Sequence, residues 1–354
     1  MNHSRSIQLL EILSNAHSVP GHEEEVRAIF RKELQGLGSF EVDRIGNCRL
    51  MRNPDAQGPH LVVDAHMDEV GFMVQSITPG GFLQVVNLGG WTASQLPGQS
   101  VSVFTPKGKI PGTFGSLPPH FAKNKAQAEI EDLFIDIGAD NQKQALQWGV
   151  RPGSAVCPDT RFQTLKNPMR LMGKAFDNRA GCAACIELAG QPLPKTRKVS
   201  FVGSVQEEGG LRGAQAAGPW LEADLMIVLE GSPADDTPGI ASHQSQSVLG
   251  AGVQIRCYDP THLASPRLVE WAIELAQKQQ IPYQIAVRRS GGTNAGKYHL
   301  DKRGVPTLVL GVPCRYIHGH QSILDLSDYL AMRELCAAII RELSPEQYER
   351  LLPN

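Results

Sequence analysis

Apolar positions recur along this chain in two rhythms, one helical and one extended. Residues 6 to 16 place Ile7, Leu10, Ile12 and Leu13 at helical spacing. The stretch Ser18-Val19-Pro20-Gly21-His22 reads as a turn, after which Glu23 to Leu37 resumes the helical period through Val26, Ile29, Phe30 and Leu34. The pattern then shortens to strands, Phe40 to Asp43 and Cys48 to Arg52. Next comes Leu61-Val62-Val63-Asp64-Ala65, a run suited to a strand buried on both faces.

From about Gly71 to Phe162 the rhythm changes. Short apolar runs alternate with Gly80-Gly81, Gly89-Gly90, Pro97-Gly98, Pro106-Lys107-Gly108 and Pro111-Gly112. Strands at Phe82 to Val86, Ser100 to Thr105 and Leu133 to Ile137, with one helix at Gln142 to Gln147, predict a small β-rich domain. Strand and helix alternate again only afterwards. Helices are expected at Asp177 to Gly190, Gly213 to Trp220, Pro266 to Gln279 and Ser327 to Leu343. Strands are expected at Lys198 to Val202, Leu225 to Leu229, Tyr283 to Val287 and Thr307 to Val312. This order predicts an α/β fold: a mostly parallel sheet with helices on both faces. Residues 1–70 and 163–354 would form that domain, and residues 71–162 an inserted β-rich one. No internal repeat is visible.

Composition narrows the function. The 354 residues suffice for a sizeable core, and a net charge of −2 gives no polyanion-binding surface. No basic run interleaved with aromatics suggests nucleic acid. No stretch of eighteen apolar residues would span a membrane, and the N-terminus leads into an amphipathic segment rather than a secretory one. Seven scattered cysteines form no disulfide framework, so a reducing, cytoplasmic setting is expected.

Chemistry concentrates where apolar runs end. In an open α/β sheet ligands gather at the C-terminal ends of strands. His66 and Asp68 follow Ala65. Glu207 and Glu208 follow the run Val199 to Val202, just before Gly209-Gly210. Glu230 ends Leu225 to Leu229, and His318 lies beyond Leu308-Val309-Leu310. Asp177 sits at the mouth of a helix. Each has an ordinary reading alone: a solvated acidic pair, a core histidine, an arginine partner for Glu230, a helix N-cap for Asp177. Together, two imidazoles and three or more carboxylates at one sheet edge make a metal site. Such a set suits two divalent cations about 3.5–4 Å apart that share a bridging carboxylate, with one Glu left as general base.

Three other features attract less chemistry. Cys182-x-x-Cys185 lies within a predicted helix and reads as packing. Gly291-Gly292-Thr293-Asn294-Ala295-Gly296 lacks the Lys-Ser/Thr of a phosphate loop and reads as a substrate-lining loop. Arg288 and Arg289 read as a solvated pair, the other reading being a preference for acidic substrate side chains.

Five stretches resemble the M42 family of metallo-aminopeptidases, the TET type once labelled endoglucanase-like. They are His66-Met67-Asp68-Glu69-Val70-Gly71, Lys174 to Cys182, Gln206-Glu207-Glu208-Gly209, Gly291 to Gly296, and Arg315-Tyr316-Ile317-His318. The resemblance spans essentially the whole chain in the family's order. It implies two zinc or cobalt ions: His66 on the first, Asp177 bridging, and Glu208 and His318 on the second. It makes Glu207 the general base and Asp68 the group that holds the His66 tautomer. The remaining ligand is usually Asp in the family, and the matching position here is Glu230, chosen over Asp235 and Asp236. Short peptides would be the substrates, and dimers up to tetrahedral dodecamers the assemblies. Pro118-Pro119-His120 also resembles a family element, with subunit contact its guessed role. The competing readings are a glycoside hydrolase with Glu207 in the carboxylate pair and a catalytically degenerate peptide binder.

Overall fold

Among the described residues, twelve strands and eight helices build a layered α/β body, and six further strands close on themselves beside it. A computed structural model describes residues 3–116, 129–302 and 304–353. Pro118-Pro119-His120 lies outside the described residues. The chain opens with helices α1 (Ser4–Asn15) and α2 (Glu24–Glu33), then strands β1 (Ser39–Val42), β2 (Cys48–Arg52) and β3 (His60–His66). The next six strands are β4 (Gly71–Ile77), β5 (Leu83–Leu88), β6 (Ser100–Thr105), β7 (Gly108–Gly115), β8 (Phe134–Asp136) and β9 (Ala155–Pro158). Helix α3 (Gln142–Gln147) falls between the last two. Strands β10 (Gln163–Thr164) and β11 (Arg170–Gly173) lead into helix α4 (Phe176–Gly190), strand β12 (Lys198–Ser204), helix α5 (Arg212–Leu221) and strand β13 (Leu225–Pro233). There follow β14 (Val253–Asp259), β15 (His262–Leu263), α6 (Pro266–Lys278), β16 (Tyr283–Val287) and α7 (Ala295–Tyr298). The described chain closes with β17 (Thr307–Arg315), β18 (Ser322–Asp325), α8 (Leu326–Glu342) and α9 (Pro345–Leu351).

The main sheet runs β1-β2-β12-β3-β13-β17-β18-β11-β10, with β14 branching from β17 and carrying β15 and β16. Its centre is parallel: β12 and β13 flank β3, and β17 lies beside β13. The expectation of a mostly parallel sheet needs correction. On both sides of that centre the pairings β1–β2, β2–β12, β17–β18, β18–β11, β11–β10 and β14–β17 are antiparallel. Three of these pairings, β1–β2, β10–β11 and β17–β18, are hairpins on short connections, as antiparallel neighbours allow. The other three, β2–β12, β11–β18 and β14–β17, join segments far apart in sequence.

Strand β3 shows how the pattern becomes packing. All seven residues are buried, and alternate side chains serve opposite faces. Leu61, Val63 and Ala65 join the core under α1, α4, α6 and α8, while Val62 joins Val202, Val228, Ala214 and Tyr298 under α5 and α7. Cys182 and Cys185 are fully buried in α4, as packing residues. The second sheet is a closed barrel, β4-β5-β8-β7-β6-β9. Its own apolar centre includes Phe72, Val85, Val101, Phe114, Ile135 and Val156.

Candidate metal centre

The parallel strands bring their ends together. Ser204 of β12 pairs with His66 at the end of β3, and Glu230 of β13 pairs with Gly311 of β17. The chain leaves β12 through Val205 into Gln206, whose φ of 54° is left-handed. This turn, which begins before Gly209 and Gly210, lets two consecutive acids face one space. It is held from outside. The Asp68 carboxylate accepts the Glu207 N–H at 3.0 Å and the Glu208 N–H at 2.9 Å, and Glu23 Oε1 accepts the Gln206 N–H at 3.2 Å.

Asp177 enters from α4, where its backbone (φ −84°, ψ 100°) is not helical. The capping task falls to its neighbour: Asn178 Oδ1 accepts the Gly181 N–H at 2.9 Å, and Asn178 Nδ2 donates to Leu229 O at 2.7 Å. The Asp177 carboxylate is left free for the site. Strand β13 passes so close that a Cβ on Gly231 would lie 2.5 Å from Asp177 Cα, so only glycine fits there.

All seven residues expected at the site converge. His66 Nε2 lies 3.1 Å from Asp177 Oδ1, 3.5 Å from Glu230 Oε2 and 3.9 Å from Glu207 Oε2. His318 Nε2 lies 3.2 Å from Glu208 Oε1 and 3.6 Å from Asp177 Oδ2. Two donor triplets result, His66–Asp177–Glu230 and Asp177–Glu208–His318, each with its ligand atoms within 4.8 Å of one another. Asp177 belongs to both, one oxygen toward each. Each imidazole turns its other nitrogen to an oxygen: His66 Nδ1 faces Asp68 O at 3.1 Å, with the Asp68 carboxylate at 3.5 Å, and His318 Nδ1 faces Gly90 O at 3.0 Å. Asp235 and Asp236 are engaged elsewhere, in ion pairs with Arg288 (2.6 Å) and Arg315 (2.7 Å).

Burial sets the electrostatics. It raises the proton affinity of Glu207, Glu208 and Glu230, the last to about 7. Burial also acts on Asp177, but His318 and His66 outweigh it and hold this carboxyl far below its usual range. Burial alone would lower both imidazoles. For His66, Glu207 and Glu230 reverse it; for His318, Asp177 and Glu208 do so and push it up to about 11. So many carboxylates around two imidazoles ask for cations. Glu230 Oε1 is buried with no hydrogen-bond partner, an arrangement that is costly for a carboxylate unless a cation meets it. Imidazole and carboxylate donors with one shared carboxylate fit a pair of divalent ions.

Beside the acids opens a pocket of about 460 Å³. Besides the clustered donors, Arg256, Thr261, Arg288, Ser290, Gly291, Gly292 and Thr293 line it. Of the glycine-rich stretch, Gly291, Gly292 and Thr293 line this pocket. Arg288 does not stand in solvent: its pairing with Asp235 and a bond to Pro233 O at 2.9 Å draw it into the wall, correcting the solvated-pair reading. Sequence reading missed Arg256, which sits on the unexpected strand β14 and bonds Ser232 Oγ at 2.9 Å. It also missed Gly90, whose only signal was a Gly-Gly pair.

Known proteins are similar to this chain over nearly its whole length. The family described as M42 glutamyl aminopeptidase matches residues 46–335. The glutamyl aminopeptidase of Lactococcus lactis subsp. cremoris (strain MG1363) is 34% identical over 349 residues, 96% of each chain. The solved TET aminopeptidase of the marine sediment archaeon Thaumarchaeota archaeon SCGC AB-539-E09 superposes with a TM-score of 0.95. It is 34% identical, and the match covers 99% of this chain and 100% of that one. The Pyrococcus horikoshii TET1 peptidase, described as able to assemble into a tetrahedron or a large octahedral shell, has a TM-score of 0.84. It is 30% identical, with 96% of this chain and 100% of that one covered. With its sheet, its clustered donors and this likeness over nearly its whole length, the chain belongs to the M42 glutamyl aminopeptidase family.

Proposed function

We propose that the protein is a metal-dependent aminopeptidase that removes N-terminal residues from short peptides. The observation that carries this reading is the pair of donor triplets sharing Asp177, with Glu207 beside them and in neither. His66, Asp177 and Glu230 would hold one divalent ion, and Asp177, Glu208 and His318 the other. Two such ions, zinc or cobalt by resemblance, would supply Lewis acidity toward the scissile carbonyl and lower the pKa of water toward neutrality.

The chain's own residues do the rest. Glu207 is buried, so its carboxylate holds a proton more readily than a solvated glutamate. It takes a proton from the attacking water and delivers it to the leaving amine, a transfer worth about 10²–10⁴-fold. Asp68 fixes the backbone that aims Glu207. The pocket walled by residues 290–293 receives the substrate's first side chain. Glu230 serves where the family usually has Asp, and its longer arm reaches to 3.5 Å from His66.

In the same reading, residues 71–162 form an inserted unit of dimerisation type between catalytic segments 1–70 and 163–354. Copies assemble into dimers or up to a tetrahedral dodecamer; the tetrahedron described for the Pyrococcus relative supports the larger form, and light scattering measures the outcome. A glycoside hydrolase would need two carboxylates and leave both imidazoles idle. Aminoacyl-nitroanilides and a cellulose derivative, each assayed with and without chelator, separate the two. Hydrolysis of the anilide alone, abolished by chelator, is expected. Absence of turnover after zinc or cobalt loading would leave a peptide binder instead.

A further inference from the structure

The two donor triplets differ in what stands behind them, and the difference lies in the connection from β5 to β6 of the barrel. Gly90 O accepts from His318 Nδ1 at 3.0 Å, across 228 residues of sequence. A Cβ on Gly90 would lie 3.1 Å from that same nitrogen. Gly89 has a φ of +82°, and a Cβ there would lie 2.9 Å from Glu208 Oε2 and 2.6 Å from Val70 Cγ1. The turn thus touches both ligands that the second triplet does not share with the first.

Trp91 locks the turn to the barrel and to the loop that carries His318. Its ring stacks on Phe72 with centroids 4.8 Å apart, and its Nε1–H donates to Gly71 O at 3.1 Å. It also meets the ring of His320, with centroids 5.4 Å apart. His320 is itself buried, two residues past His318. The backbone around His318 is left-handed at both Tyr316 (φ 62°) and His318 (φ 56°), and a loop in that region keeps its shape only where its surroundings determine it.

We infer that the Gly89-Gly90-Trp91 turn is the positioning element of one cation site, holding His318 in the tautomer that presents Nε2 to Asp177 and Glu208. This rests on the reading of His318 and Glu208 as ligands. The barrel thereby completes the catalytic centre as well as standing beside it. An acceptor behind a ligating imidazole fixes its orientation, and losing such support weakens metal binding about 10–100-fold.

The test is a zinc titration of the metal-free protein against a chromophoric chelator, which resolves the two stepwise affinities. Gly90→Ala needs no left-handed backbone and pushes only on the imidazole. We expect it to weaken one affinity about 10- to 100-fold and leave the other as in the wild type. Trp91→Ala should do the same, and Trp91→Phe, which keeps the rings in contact, should restore binding. Should Trp91→Ala fail to fold, Gly90→Ala carries the test. Unchanged affinities in Gly90→Ala, or an equal loss at both sites, would overturn the inference. A wild type that binds fewer than two zinc ions would instead overturn the two-metal reading, so the two failures are distinguishable. His318→Ala, expected to keep a single zinc, identifies which affinity belongs to this site.

Discussion

Asp68 acts on Glu207 through the backbone: its Oδ1 accepts the Glu207 N–H at 3.0 Å while Oδ2 accepts that of Glu208 at 2.9 Å. The same residue faces His66 mainly through its carbonyl oxygen, at 3.1 Å. One fully buried carboxylate therefore shapes the turn that carries both acids. Asp68→Asn keeps one acceptor and turns an N–H₂ donor toward the second amide. We predict that kcat falls about 10²-fold through misplacement of the base, while both zinc ions remain by elemental analysis.

Cation loading should stabilise the fold, because the buried carboxylates repel one another without it. A ligand that binds only the native state at 1,000 times its Kd adds about 4 kcal/mol. Tm should rise on zinc addition and fall on chelation. Replacing Glu230, whose Oε1 is unpartnered, with Gln should shrink that rise. An unchanged Tm would speak against a cation in the site.

Stability should also depend on pH through His60, far from the candidate centre. Burial and the nearby Lys198 lower its pKa to about 4, and its Nε2 lies 2.8 Å from Ser200 Oγ. Above pH 6.5 both folded and unfolded states are neutral there, and the contribution is whole. As pH falls toward 4 only the unfolded state takes the proton, so stability drops, by on the order of 3 kcal/mol. Below 4 the loss levels off. Burial raises Glu23 to about 7 and Asp328 to about 6, which act with the opposite sign. The readout is therefore the difference between wild type and His60→Gln in denaturant titrations at pH 4 and 7, with the variant expected to lose less.

Lys174 and Glu69 form a buried pair at 2.6 Å beneath the site, with Arg179 adding a third charge at 3.0 Å. Lys174 also donates to Ala16 O at 2.6 Å, tying the N-terminal segment to the end of β3. Lys174→Met removes one partner of a buried ion pair and should cost about 3–5 kcal/mol in urea unfolding. A loss below 1 kcal/mol would mean that Arg179 alone compensates Glu69.

The strand ends were legible in the sequence for a simple reason. An apolar run that stops at a carboxylate or imidazole marks both a buried strand and a polar group at its tip, as in β3 and β13. The acid at 177 was ambiguous because a cap and a ligand have the same local pattern. Only the bond from Gly181 to Asn178 separates them. Strand β14 escaped notice because Gln254, Arg256 and Asp259 break its apolar rhythm; the fold buries them against one another and Ser232. Antiparallel margins were missed for the related reason that pairing partners far apart in sequence leave no periodicity. The contact between Gly90 and His318 is of the same kind, and a Gly-Gly pair by itself signals only a turn.

The central claim is that Glu207 is the base and that the two triplets hold the ions. Glu207→Gln keeps the size of the side chain and removes its charge. Kinetics on an aminoacyl-nitroanilide, with zinc counted by elemental analysis on the same sample, tests the claim most directly. The expected result is two ions per chain and a kcat reduced about 10²–10⁴-fold. Wild-type turnover with both ions bound would contradict it.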